Sequence, residues 1–165
     1  MTFYCQLDYE HVPYPSPVGA KNGNIANNGC GVCSASMLVE NMLDVPYPPE
    51  VAAKEAKACG AREGFGTNLY IYAPVVAEHF GMKLTVTEDG QEALRFLQEG
   101  RGMVIANTYG DRPEHIGVFS DSGHYIVLAS ANGTEVKVWD PMYFIGSDRF
   151  ESAHRKDKVR LDGTD

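Results

Sequence analysis

Residues 123–141 read GHYIVLASANGTEVKVWDP. Two β-rich runs, HYIVLAS and EVKVWD, flank Ala131-Asn132-Gly133-Thr134, which is the composition of a hairpin. A two-residue turn at Asn132-Gly133 would set His124 against Pro141 and place Ile126 and Leu128 beside Trp139 and Lys137. A three-residue loop from Ala131 to Gly133, with Gly133 left-handed, shifts the pairing by one. Ile126 then faces Val138 and Leu128 faces Val136, giving one apolar face, while Tyr125, Trp139, Lys137 and Glu135 share the other. Register follows the apolar face, so the three-residue loop is the expectation. It sets His124 directly opposite Asp140. Directly opposed residues have Cβ atoms about 4.5–5.5 Å apart, so the imidazole and the carboxylate would meet, as an oriented general base requires.

Outward from this hairpin the chain changes character. MVIANT, just upstream, is a third strand candidate, and KLTVT (83–87) a short fourth. Before them the apolar period is helical. Ala35, Leu38, Val39 and Met42 predict a helix over Ser34–Leu43, with Asn28 upstream as a cap and Pro46 as the stop. PPEVAAKEAKACG predicts a second helix, opened by Pro49 and closed by Gly60. NLYIYAPVVAEHFG places Leu69, Tyr72, Val76 and Phe80 on one face, with Pro74 near its start or at a kink. QEALRFLQEG is a fourth helix. Helices first and strands after make an α+β chain, read as a single domain over 1–165. Residues 1–29 are loop-rich: VPYPSPVGAKNGNIANNG holds three Pro and three Gly, the mark of a long surface loop of the kind that overlies functional sites. Residues 151–165 form a polar tail.

Composition narrows the function. With 165 residues the chain can bury a core without staples, so its four cysteines are free for other work. Fourteen basic and twenty-two acidic side chains leave a net charge of −8, which repels nucleic acid and acidic lipid. No apolar run approaches the roughly 18 residues that span a bilayer. No signal peptide is visible, which suggests the cytoplasm by default, or secretion if a signal has been removed.

Cys30 is the candidate nucleophile. It stands between an Asn/Gly-rich loop and an amphipathic helix, where the helix dipole and unpaired N–H groups favour a thiolate. The alternative is an inert buried thiol. Cys30-Gly-Val-Cys33 also spells a C-x-x-C. A thiol–disulfide oxidoreductase carries that motif after a strand in a βαβ unit, whereas a long loop precedes it here. A zinc knuckle would need a second ligand pair, and only Cys5 and Cys59 remain, without paired spacing. Of the five histidines, His11 lies in the loop, His79 near a helix end, His115 before a short apolar run and His154 in the tail. Only His124 has a carboxylate partner set by register. A thiol, a base and an orienting acid make a mechanism. The oxyanion donors would be the Cys30 N–H with a side-chain amide from Gln6, Asn27 or Asn28.

These segments resemble a family. NGCGVCSASMLVE (28–40), GHYIVLA with the hairpin ending VWDP, and ALRFLQEGRGMVIAN before it are similar to the bacteriocin-processing cysteine peptidases, papain-like peptidase family thirty-nine, and to their broad relatives. The resemblance spans Gln6 to Pro141 and has the order Cys, His, Asp of the papain-like fold. It implies a central nucleophile helix in a helical half packed on an antiparallel sheet. It further implies Cys30 as nucleophile, His124 as base, Asp140 as its orienting residue, and Gln6, in CQLDY, as the oxyanion amide. Gln6 stands 24 positions before Cys30, where close relatives place that glutamine only a few residues upstream. The insertion Leu7 to Gly29 must therefore loop out and return, and Asn27 or Asn28 could take the role. The transporter that bacteriocin-processing members carry does not accompany these 165 residues. The expected function is thiol-dependent hydrolysis of a peptide or other amide, with a peptide or protein as partner and no metal or organic cofactor. Acyl transfer of the phytochelatin-synthase type, an inactive peptide-binding module and a C-x-x-C oxidoreductase are the alternatives.

Overall fold

A computed structural model describes residues 1–142. The chain divides into two units, Met1–Thr85 and a second from Val86 onward. The architecture is α+β, with helices in the first unit and a three-stranded antiparallel sheet in the second. The polar tail 151–165 and His154 lie outside the described residues.

In the first unit a single 3-10 turn, Gln6–Tyr9, comes first. Four helices follow: α1 (Ile25–Asn28), α2 (Cys30–Leu43), α3 (Pro49–Ala58) and α4 (Leu69–Phe80). A two-residue hairpin, β1 (Arg62–Glu63) with β2 (Gly66–Thr67), separates α3 from α4. The helix α2 starts four residues before the apolar period predicts, at Cys30, and its N-cap is Gly29 instead of Asn28. It ends where Asp44 turns left-handed (φ 54°). Pro49 opens α3, as expected, because a proline at the first helical position gives up an N–H that has no partner there. Gly81 closes α4 at φ 63°, and Pro74 lies inside that helix. The core joins Val32, Cys33, Ala35, Met37 and Val39 of α2 with Ala52, Ala53 and Ala56 of α3 and Tyr72 and Val76 of α4, all buried. The three alanines let α3 approach α2 closely.

The N-terminal loop departs from its reading as a surface segment, because Tyr14 and Ile25 are fully buried. The Tyr14 hydroxyl bonds Thr67 Oγ1 at 2.6 Å. KLTVT is not a strand: residues 83–87 pair with neither described sheet, and Leu84 and Val86 are exposed. Alternation over five residues makes no strand where no neighbour offers a ladder.

In the second unit α5 (Gly90–Gln98) precedes β3 (Val104–Thr108), β4 (His124–Asn132) and β5 (Glu135–Trp139), in sheet order β3-β4-β5. One face carries Val104 and Ala106 of β3, Ile126, Leu128 and Ala131 of β4, and Val136 and Val138 of β5. Leu97 of α5 and Val118 and Phe119 of the β3–β4 connection cover it. Gln98 Nε2 donates to the Gly133 carbonyl at the hairpin turn.

The predicted register is corrected. Asn132 pairs with Glu135, so the loop is the two residues Gly133-Thr134, with Gly133 left-handed at φ 61°. Ala131 then faces Val136, and Leu128 faces Val138 in place of Val136. Ala129 is a bulge between Leu128 and Ser130, an extra residue that has no partner across the ladder. The bulge lets a tight turn coexist with a continuous apolar face. Relative to the three-residue loop the pairing slides by three residues between turn and bulge, and by two beyond the bulge, on the side that holds His124. A slide of two keeps the side chains of that half, His124 and Ile126 among them, on their face, where a slide of one would reverse them.

Candidate active site

Cys30 is the first residue of α2 and is half-buried. Gly29 before it supplies no side-chain cap, so the N–H groups of the first turn are left to whatever approaches from outside. Gly29 is required by space: a Cβ there would lie 2.5 Å from both the Ile25 carbonyl oxygen and its Cγ2. The short helix α1 therefore turns back tightly into α2, and only a hydrogen fits at the junction. Cys33, one turn on, is wholly buried. Burial pushes its thiol well above the usual range, and the nearby Cys30 and Cys5 sulfurs add to the shift.

Gln6 returns to the Cys30 segment in spite of the 24-position separation. Its side chain is 3% exposed, and its Nε2 donates to the Ala26 carbonyl at 2.7 Å, four residues before Cys30. The Gln6 Oε1 is buried with no hydrogen-bond partner among the described residues. The two asparagines do other work. The Asn28 side chain donates to the Phe65 carbonyl at 2.9 Å, tying the β1–β2 hairpin to the residue two before Cys30. Asn27 is exposed, and its backbone N–H is capped by the Asn24 side chain.

Arg62 holds this arrangement together, and the sequence reading missed it. It is 4% exposed. Its Nε donates to the Tyr14 carbonyl at 2.9 Å, and Nη1 to the carbonyls of Glu63, Gly64 and Gly66. The guanidinium also stacks over the Tyr14 ring at 4.6 Å. Among the described residues no carboxylate takes part, so the charge pattern of that stretch did not signal it. The hint that existed was an arginine inside a Gly-rich turn, Arg62-Glu-Gly-Phe-Gly.

In the second unit His124 and Asp140 meet. His124 Nε2 lies 2.6 Å from Asp140 Oδ1, with the residues 4% and 8% exposed. Extending the observed register past Trp139 sets Asp140 beside Ile126, a diagonal step from His124 instead of directly across. Diagonal neighbours are about 7–8 Å apart, farther than residues directly opposed, which explains why the far ring nitrogen makes the contact. Asp140 Oδ1 also accepts from the Met142 N–H at 2.9 Å. An ionised carboxylate only accepts, so Nε2 is the donor in this bond. Thr108 anchors the strand end by donating from Oγ1 to the His124 carbonyl.

The other described histidines are engaged differently. His79 Nδ1 bonds Glu55 Oε2 at 2.7 Å, His11 stacks on Tyr9, and His115 exchanges backbone bonds with Arg112. No disulfide links any two of the four cysteines. Among the described residues no group of three or more His, Cys, Asp or Glu is placed to hold a metal ion, and no helix is long and apolar enough to cross a membrane. No model of a known protein family, no curated protein and no solved structure matches the chain.

Proposed function

We propose that the chain is a papain-like thiol hydrolase acting on a peptide or another amide. The observation that carries this reading is the buried 2.6 Å bond between His124 and Asp140, which orients an imidazole as a general base requires. Cys30, at the uncapped head of α2, supports it as the nucleophile. In the proposed reaction Nδ1 of His124 takes the Cys30 proton, and the sulfur attacks the carbonyl carbon. The Cys30 N–H and the Gln6 amide stabilise the oxyanion. Nε2 of Gln6 has two protons and gives one to Ala26, leaving the second for this task. Protonated His124 passes its proton to the leaving amine, and water resolves the thioester. Asp140 compensates the imidazolium charge while it lasts. These steps call for no metal or organic cofactor.

The test joins labelling with turnover. Limiting iodoacetamide on the reduced native protein, followed by peptide mapping, should modify Cys30 first, and His124→Ala should slow that reaction at neutral pH. A pool of fluorogenic peptide amides then supplies a substrate. Cys30→Ala should abolish its cleavage and Gln6→Ala should reduce kcat on the order of 10²-fold or more. Modification of Cys33 or Cys59 ahead of Cys30, or full turnover by Cys30→Ala, would overturn the reading.

A further inference from the structure

We infer that Cys30 and Cys33 form a redox-active pair, in which Cys33 resolves an oxidised Cys30 into a disulfide and so protects the reactive thiol from irreversible loss. The two residues sit at the first and fourth positions of α2. In an α-helix a separation of three residues sets Cα atoms about 5 Å apart, inside the roughly 4.4–6.8 Å span that disulfides require. Cβ atoms three apart on a helix lie about 5–6 Å apart, against the roughly 3.5–4.5 Å of a disulfide, so closure needs a local adjustment of the first turn of α2, where Gly29 leaves the helix end without a side-chain cap. The residue between them that follows Cys30 is Gly31, which adds no side chain to the sulfurs' surroundings.

The two thiols are also unequal in the sense such a pair needs. Cys30 is half-buried, at the first residue of α2, so an oxidant reaches it. Cys33 is sealed in the core and has no exposed surface. Burial keeps its thiol protonated, which shields it from direct attack by an oxidant. A thiol of that kind serves as the resolving partner, because its closeness to Cys30 replaces intrinsic reactivity. Had Cys33 been exposed as well, both sulfurs would oxidise independently. Had it been further along the helix, no disulfide could close.

The chemistry balances with hydrogen peroxide as oxidant. The Cys30 thiolate attacks one peroxide oxygen, the O–O bond breaks, and the sulfur becomes a sulfenic acid while hydroxide takes up a proton as water. The Cys33 sulfur then attacks the Cys30 sulfur. The S–S bond forms, the S–O bond breaks, and the Cys33 proton leaves with the hydroxyl group as a second water. A dithiol reductant returns both thiols and is itself oxidised to a disulfide. The inference rests on the proposed function only in taking Cys30 as the accessible, reactive thiol. It does not depend on which substrate, if any, Cys30 attacks.

The experiment treats the reduced full chain with a small molar excess of hydrogen peroxide, traps remaining thiols with iodoacetamide, and maps the peptides by mass. The expected product is one Cys30–Cys33 crosslink, lighter by two hydrogen atoms than the reduced form, and dithiothreitol should restore Cys30 alkylation. In Cys33→Ala the Cys30 sulfur should advance to sulfinic and sulfonic acid, and dithiothreitol should restore little alkylation. Wild-type mapping carries the test even if that variant folds poorly. Cys30 found as a sulfinate, or joined to Cys5 or Cys59 while Cys33 remains a thiol, would overturn the pair, as would equal recovery in wild type and Cys33→Ala. Failure of Cys30 to alkylate in the untreated reduced protein would count against the proposed function. Normal alkylation without the Cys30–Cys33 crosslink would remove this inference alone.

Discussion

Cys30 and His124 are positioned by opposite means. The imidazole and its carboxylate lie at one end of a hairpin whose strands are joined by two residues, so chain neighbours and one ladder of backbone bonds set their geometry. The thiol depends on contacts made across long stretches of chain: Gln6 to Ala26, Asn28 to Phe65, and Arg62 to Tyr14. A hairpin tolerates changes that preserve its alternation. A loop pinned by a few buried polar groups fails when any of those groups is removed, because each lost partner strands another polar atom in the core.

The largest expected effect breaks the long-range side of this contrast. Arg62→Ala removes four bonds to backbone carbonyls and the stacking on Tyr14. It should cost at least about 3 kcal/mol and lower the thermal midpoint of the first unit by differential scanning calorimetry. Gly29→Ala comes next, at about 2–3 kcal/mol, since its Cβ would collide with the Ile25 backbone. Slower alkylation of Cys30 should accompany that loss. A Gly29→Ala protein with unchanged melting and labelling would show that the α1–α2 junction does not position the thiol.

On the hairpin side the effects should be smaller and more selective. Asp140→Asn should destabilise by only about 1–2 kcal/mol, yet reduce kcat about 10²–10⁴-fold on any amide substrate found, because the imidazolium loses its compensating charge. Deleting Ala129 should leave a regular ladder with Leu128 and Ala131 still on the apolar face. It should change stability by less than about 1.5 kcal/mol and leave Cys30 labelling rates unaltered. Deleting Val127 instead reverses the face of His124 and should unfold the sheet. Equal outcomes for the two deletions would contradict the role given to the bulge.

The smallest effect is a slope with pH. Burial pushes the Tyr14 phenol up to about 12. The folded protein keeps that proton above pH 10, where the unfolded chain loses it. Its contribution is therefore fully present below pH 10 and is lost as pH rises towards 12, by about 1.4 kcal/mol per pH unit. Tyr14→Phe should flatten the fall of stability over pH 10–12 in urea titrations. An unchanged slope would place Tyr14 in contact with solvent.

Three strands, four of the helices and the α+β class were legible because each rests on local period and on punctuation by Pro and Gly. The pairing of His124 with Asp140 was legible for a similar reason. Parity along a strand decides the face, and the apolar residues at Ile126, Leu128, Val136 and Val138 decide the parity. The exact register was not legible. Turn type and bulge compensate one another, and two combinations that differ by two residues satisfy the same alternation. KLTVT shows the limit of pattern alone, because a strand exists only where a neighbour accepts its backbone bonds.

The chain by itself therefore determined which elements form, which of the sheet's faces carries His124 and Asp140, and which cysteine opens a helix. Tertiary structure decided what folds the Pro- and Gly-rich loop inward, which amide sits beside the Cys30 segment, and which cysteine is sealed from solvent. Those outcomes depend on hydrogen bonds to backbone carbonyls and on volume filled at Gly29 and Tyr14. Every residue type offers the same carbonyl, and so no pattern of side chains along the sequence records where such bonds will be made.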